Sequence, residues 1–142
     1  MHSDLEQAKK ALNSGKYTCI LCKDTTILTS TDTGILPLIK FLDMNQTYQG
    51  FSAADKIVGK AAAYLYIIMG VQSVHATVMS EAAFELLVQY NIAASYNILA
   101  REITNRSGTG CCPMDHAVQD ANSPNDALLN IRQTLQKITS KQ

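Results

Sequence analysis

Ala54-Asp-Lys-Ile-Val-Gly-Lys-Ala-Ala-Ala63 is the stretch on which the reading of the fold turns. Carried on to Gly70, it sets Ile57, Val58, Ala61, Ala62, Leu65, Ile68 and Met69 on one broad apolar face at helical spacing. That spacing predicts a helix from about Ala54 to Gly70, the most buried of the chain. On such a helix Lys56 and Lys60 share a face, with Asp55 and Gly59 near its edge. A helix start favours anions through its free N–H groups and its dipole, and two lysines reinforce the preference. A glycine inside a helix costs about 1 kcal/mol relative to alanine, so Gly59 suggests a close approach of backbone or ligand.

Working outward, Ser3-Asp-Leu-Glu6 has the form of a capping box and Gly15 supplies a stop, which predicts a helix over 4–14. Tyr17–Cys22 and Thr26–Thr29 are β-rich runs separated by the polar spacer Lys23-Asp24-Thr25, an antiparallel hairpin. Ile35 to Asn45 predicts a short helix with Pro37 in its first turn. Val71–Met79 and Ile92–Leu99 read as strands, with a helix capped by Ser80 between them. Further helices start at Pro113 and at Ser123-Pro124. The order predicts one α/β domain over 1–142: three layers, α-β-α, around a mixed central sheet.

Composition agrees with a single core. The chain has 142 residues, 46% hydrophobic and 17% charged, and twelve basic residues balance twelve acidic ones. There is no large positive field to gather phosphate backbones, so no nucleic-acid partner is expected. No apolar run approaches the ~18 residues of a membrane span, and the polar start from Met1 to Lys10 is unlike a signal peptide. The expected location is cytoplasmic, with the four cysteines reduced.

A second constellation is Asn105-Arg-Ser-Gly-Thr-Gly-Cys-Cys-Pro-Met-Asp115. Its small residues, Thr109 and Gly110 among them, form a loop whose N–H groups can approach a ligand. Cys112 stands before Pro113 at a helix start, where thiolate is favoured, and is a candidate nucleophile or redox thiol; packing is the alternative. Cys19 and Cys22 are three apart in a strand, point to opposite faces and cannot chelate together. His2, His75 and His116 form no metal-binding pattern, and His116 is the one placed to approach Cys112.

The pairing of D-K-x-x-G-K-A-A-A, at Asp55 to Ala63, with G-T-G-x-C-P-M-[DE], at Gly108 to Asp115, resembles a small family of domains of unknown function. The resemblance implies a cytidine-deaminase-like fold. Zinc deaminases carry H-x-E at the helix start where this chain has Gly59-Lys60-Ala61, and P-C-x-x-C at the next one, here Val78-Met-Ser-Glu-Ala82. Neither place offers a histidine or cysteine, so no zinc ligand set and no cofactor is expected. The fold then implies a cleft between the two helix starts. Lys56, Gly59, Lys60, Ser80, Glu81, Thr109 and Gly110 are the candidate ligand-binding residues there, with Cys112 and Asp55 as candidate catalytic groups.

The leading expectation is a metal-free cleft that binds a small anionic or nucleotide-like molecule, with a cysteine-based activity at Cys112 and Asp55 assisting proton transfer. The alternative is a non-catalytic ligand-binding or regulatory domain. A third reading gives the motifs to packing and a homo-oligomer contact.

Overall fold

The computed structural model describes residues 3–104 and 112–140. The chain runs α1 (Asp4–Asn13), β1 (Cys19–Lys23), β2 (Thr26–Ser30), α2 (Leu36–Asp43), β3 (Ser52–Val58), α3 (Lys60–Met69), β4 (Ser73–Ser80), α4 (Glu81–Gln89), β5 (Ala93–Ala100), α5 (Pro113–Ala117) and α6 (Pro124–Ser140). The five strands form one sheet in the order β2-β1-β3-β4-β5. β1 pairs antiparallel with β2 and with β3, whereas β3, β4 and β5 are mutually parallel and joined through α3 and α4.

Local signals set most boundaries. Ser3 caps α1 by accepting from Glu6 N at 3.1 Å, and Pro37 sits in the first turn of α2. Gly70 closes α3 in the left-handed conformation, φ 81°, where a side chain would be strained. The expected hairpin, the strand–helix–strand unit after Gly70 and both late helices stand within a few residues of their sequence-based bounds.

The stretch before Gly59 differs from expectation. Ser52–Val58 is a strand, so Asp55 and Lys56 lie on β3 and the helix starts at Lys60. β3 is central, flanked by β1 and β4, and Ser52, Ala53, Ala54 and Asp55 are all buried. A strand buried on both faces carries consecutive small or apolar residues without alternation, and two alanines add a helix-like propensity. Pairing on both edges overrides that propensity. Lys56 and Lys60 therefore share no helix face. Gly59 occupies the N-cap position, φ −97°, ψ −174°, and is not a mid-helix glycine.

Two cores result. The smaller lies under α1 and holds Ala8, Leu12, Ile20, Cys22 and Ala54. The larger lies on the opposite face, where α2, α3, α4, α5 and α6 all contribute. α3 is its centre, with seven of ten residues buried. Cys19 belongs to the larger core and Cys22 to the smaller, the opposite faces their spacing requires. Among the described residues no helix is long and apolar enough to cross a membrane.

Candidate functional site

At the carboxyl end of β3 the sheet opens into a cleft of about 1000 Å³. Its described walls come from Thr18, the 32–36 turn, β3, the start of α3, Ile103 and Thr104, α5 and the end of α6. Most of that surface is apolar, supplied by Ile35, Leu36, Ile57, Met114, Leu135 and Ile138.

Asp55 is the polar group set deepest. It is 6% exposed, yet it lines the cleft. Tyr66, from the buried face of α3, donates its hydroxyl to Asp55 Oδ2 at 2.7 Å. The same hydroxyl lies 3.4 Å from Cys19 Sγ. Tyr66 has one hydrogen and gives it to the carboxylate, so the Cys19 thiol is the donor in the second contact. Burial pushes the Asp55 carboxyl up to about 7, against the opposing pull of the Tyr66 hydroxyl and the Lys56 and Ile57 N–H groups. Burial also raises Cys19 and Tyr66, each further raised by the Asp55 charge. Near pH 7 Asp55 is thus divided between acid and carboxylate, able to give or to take a proton.

Asp115, on α5, is a second acid and is half-buried. Its Oδ1 accepts from Ala61 N at 2.9 Å, and the N–H of Lys60 also stabilises its charge. The first turn of α3 is therefore capped from across the fold. Gly59 makes this possible: a Cβ placed on it would lie 2.7 Å from Asp115 Cγ, closer than real atoms approach. Burial raises the Asp115 carboxyl, and the two N–H groups and the Lys60 charge partly offset that.

This arrangement corrects the expected anion site. The N–H groups of Lys60 and Ala61, at the start of α3, are taken by the protein's own carboxylate. Lys60 Nζ reaches Gln119 O at 3.3 Å and lies 6.0 Å from the Tyr64 ring centroid; it is absent from the described cleft wall. Lys56 is exposed and does line the cleft. The described wall thus carries three carboxyl groups and the ammonium of Lys56: Asp32 is ion-paired with Lys40 at 2.8 Å, Asp115 holds the α3 cap, and Asp55 has no cation within hydrogen-bond reach among the described residues.

The remaining candidates divide. Cys112 lines the cleft, half-buried at the N-cap of α5, with its N–H donated to Ile103 O at 2.9 Å. His116 is exposed on α5 and is not on the described wall. Ser80 is buried as the cap of α4, accepting from Ala83 N at 3.1 Å, and Glu81 is exposed; contrary to expectation, neither is on the described wall. Thr109 and Gly110 lie outside the described residues. His75 sits on β4 at the face under α1, its ring nitrogens 2.8 Å from Ser95 Oγ and 3.1 Å from Asn97 Oδ1 of β5. Burial holds it below the usual histidine range. Among the described residues no three His, Cys, Asp or Glu side chains gather as a metal site.

Sequence reasoning did not find Tyr66, Cys19 or the capping role of Asp115. A tyrosine on the inner face of an otherwise apolar helix was the available signal for the first, since a buried hydroxyl needs a partner.

These features define a three-layer α/β domain with a mixed five-stranded sheet and a cleft at the carboxyl end of a central strand. The family described as TM1506, a domain of unknown function (DUF1893), matches residues 7–135, and the chain belongs to it. The crystal structure of a DUF1893 family protein (TM1506) from Thermotoga maritima is similar along almost the whole chain. It is 26% identical, with a TM-score of 0.83, covering 96% of this chain and 92% of that one. The apo dCMP deaminase from cyanophage S-TIM5 is a weak likeness, 14% identical with a TM-score of 0.44, over 65% of this chain and 92% of that one. No curated protein sequence matches the chain.

Proposed function

We propose that the cleft binds a small molecule with an apolar body and a hydrogen-bond-donating or cationic head, and that Asp55 receives that head. The observation that supports this is the placing of Asp55: a buried acid, oriented by Tyr66, at the side of a mainly apolar cavity large enough for a metabolite. An anionic ligand, expected from the two lysines, would instead meet, among the described residues, the carboxyl groups of Asp55 and Asp115 beside the one ammonium of Lys56, since Asp32 is ion-paired with Lys40. A hydroxyl or amine on the ligand would satisfy Asp55 as carboxylate, and a carbonyl would satisfy it as acid.

Thermal shift with matched compounds tests the reading. Amines and alcohols should stabilise the protein where carboxylates of the same body do not. A ligand at 100 times its Kd adds about 2.7 kcal/mol, a rise of several degrees in Tm. Asp55→Asn should remove the preference for amines. A preference for carboxylates or phosphates that survives Asp55→Asn would overturn the proposal.

Cys112 on the same wall supports a second reading, in which its sulfur adds to the β-carbon of a C=C bond conjugated to a carbonyl of the bound molecule; the π pair moves to the α-carbon, which takes up from solvent the equivalent of the proton the thiol released. Cys112→Ser should then abolish a mass adduct on the intact protein while leaving thermal-shift binding unchanged. Binding without any adduct would remove the cysteine-based reading.

A further inference from the structure

β5 ends the sheet, with β4 as its neighbour among the described elements. Edge strands normally carry a guard against pairing with other chains: a charge, a proline, a bulge or short length. Ala93-Ala-Ser-Tyr-Asn-Ile-Leu-Ala100 has none of these. It is eight residues long, holds no charged residue and no proline, and keeps the same register with β4 on both sides of Asn97, from Ala93 to Tyr96 and from Ile98 to Ala100. Its outer side is open to solvent, with Ile98 57% and Leu99 40% exposed.

Main-chain direction adds to this. The N–H of Ala93 donates to Gln72 O at 3.1 Å, on the β4 side. Along a strand such groups alternate in direction, so those of Ala94, Tyr96, Ile98 and Ala100 point outward. On the helical face, Tyr96 makes an edge-on ring contact with Phe84 of α4, centroids 5.5 Å apart. One turn further along α4, Val88 is 54% exposed.

We infer that β5 pairs antiparallel with β5 of a second copy of this chain, joining the two sheets into one. A two-fold axis at Asn97 fits every element of the edge. It sets Tyr96 opposite Ile98 of the second copy, and the reverse, as two aromatic–branched pairs on the helical face. It also sets the outward N–H and C=O groups of the same residues against each other. A two-fold interface brings a strand against itself, so a charge on β5 would meet its own sign; the strand is neutral throughout. Eight residues extend about 26 Å, and with α4 alongside the edge is about 20 Å deep. The footprint is on the order of 500 Å² per copy, about 1000 Å² in all, where specific interfaces begin. The other edge, β2, is five residues long with Ile27 as its exposed apolar residue, and offers less.

Sedimentation equilibrium over a range of concentrations tests the pairing. The wild-type protein should reach twice its 15.5 kDa chain mass. Ile98→Lys should raise the dimer dissociation constant by at least about tenfold, because two ammonium groups enter beside the axis. Ile27→Lys on β2 should leave it unchanged. Amide exchange gives a check independent of substitution: the N–H groups of Tyr96 and Ile98 should be protected in concentrated protein and exchange freely on dilution. A wild-type monomer at all concentrations, a dimer that Ile98→Lys leaves intact, or a dimer lost on Ile27→Lys overturns the inference.

Discussion

At the carboxyl end of β4 the chain enters α4 through Ser80, whose hydroxyl accepts from Ala83 N three residues on. At the carboxyl end of β3 it enters α3 through Gly59, and the corresponding acceptor is Asp115, 54 residues away. The strands are neighbours in register, Val58 beside Met79 and Asp55 beside Ala76. The β4 junction closes itself with a local side chain. The β3 junction has no side chain of its own at the cap, and the space is filled by a distant carboxylate. Beside it lie a buried acid and a cleft. A helix start that forgoes its own cap can admit a residue, or a ligand, from elsewhere.

The largest expected effect separates the two junctions by pH. Asp55 titrates near 7 in the folded protein against 3.8 for an ordinary aspartate. Between those values the unfolded chain releases a proton that the folded protein keeps, so this group lowers stability as pH rises through 4–7 and has no further effect above. Removal of the carboxylate by Asp55→Asn should relieve a cost on the order of 4 kcal/mol at pH 8 and little at pH 4. Urea unfolding of both proteins at the two pH values checks it; an equal difference at both would show that Asp55 titrates normally.

Next in size is Gly59→Ala, which drives a Cβ into Asp115. A loss of about 3 kcal/mol is expected from the clash and the displaced cap together. Asp115→Ala leaves the cap vacant without a clash and should cost about 2 kcal/mol. Adding Gly59→Ser to Asp115→Ala turns the β3 junction into a copy of the β4 one, and should restore about 1 kcal/mol. Denaturation midpoints and exchange of the Ala61 amide measure both changes. If the added serine restores nothing, Asp115 does more than cap. The smallest effect is that of Ser80→Ala, about 1 kcal/mol, with the titration of Asp55 untouched.

The same contrast governs what could be read in advance. Caps and stops made by neighbouring residues, such as Ser3, Gly15, Pro37, Gly70 and Ser80, place their elements from sequence because cause and effect lie within a few positions. β3 was hidden because its strand character comes from β1 and β4, which pair with it from both sides. Of the chemical candidates, Asp55, Lys56, Gly59 and Cys112 do meet at one cleft, and Asp115, which was not among them, joins them there. Their roles did not follow from spacing. Lys60 leaves the group because α3 starts later than its pattern suggests, and Tyr66 joins Asp55 only once β3 packs beneath α3.

The distance between Ala61 and its cap also orders events in time. A ribosome adding about 5–20 residues per second needs roughly 3–10 s to pass from one to the other. Through that interval the first turn of α3 is made but unfinished. α5, through Asp115, therefore acts as a latch on a helix synthesised well before it.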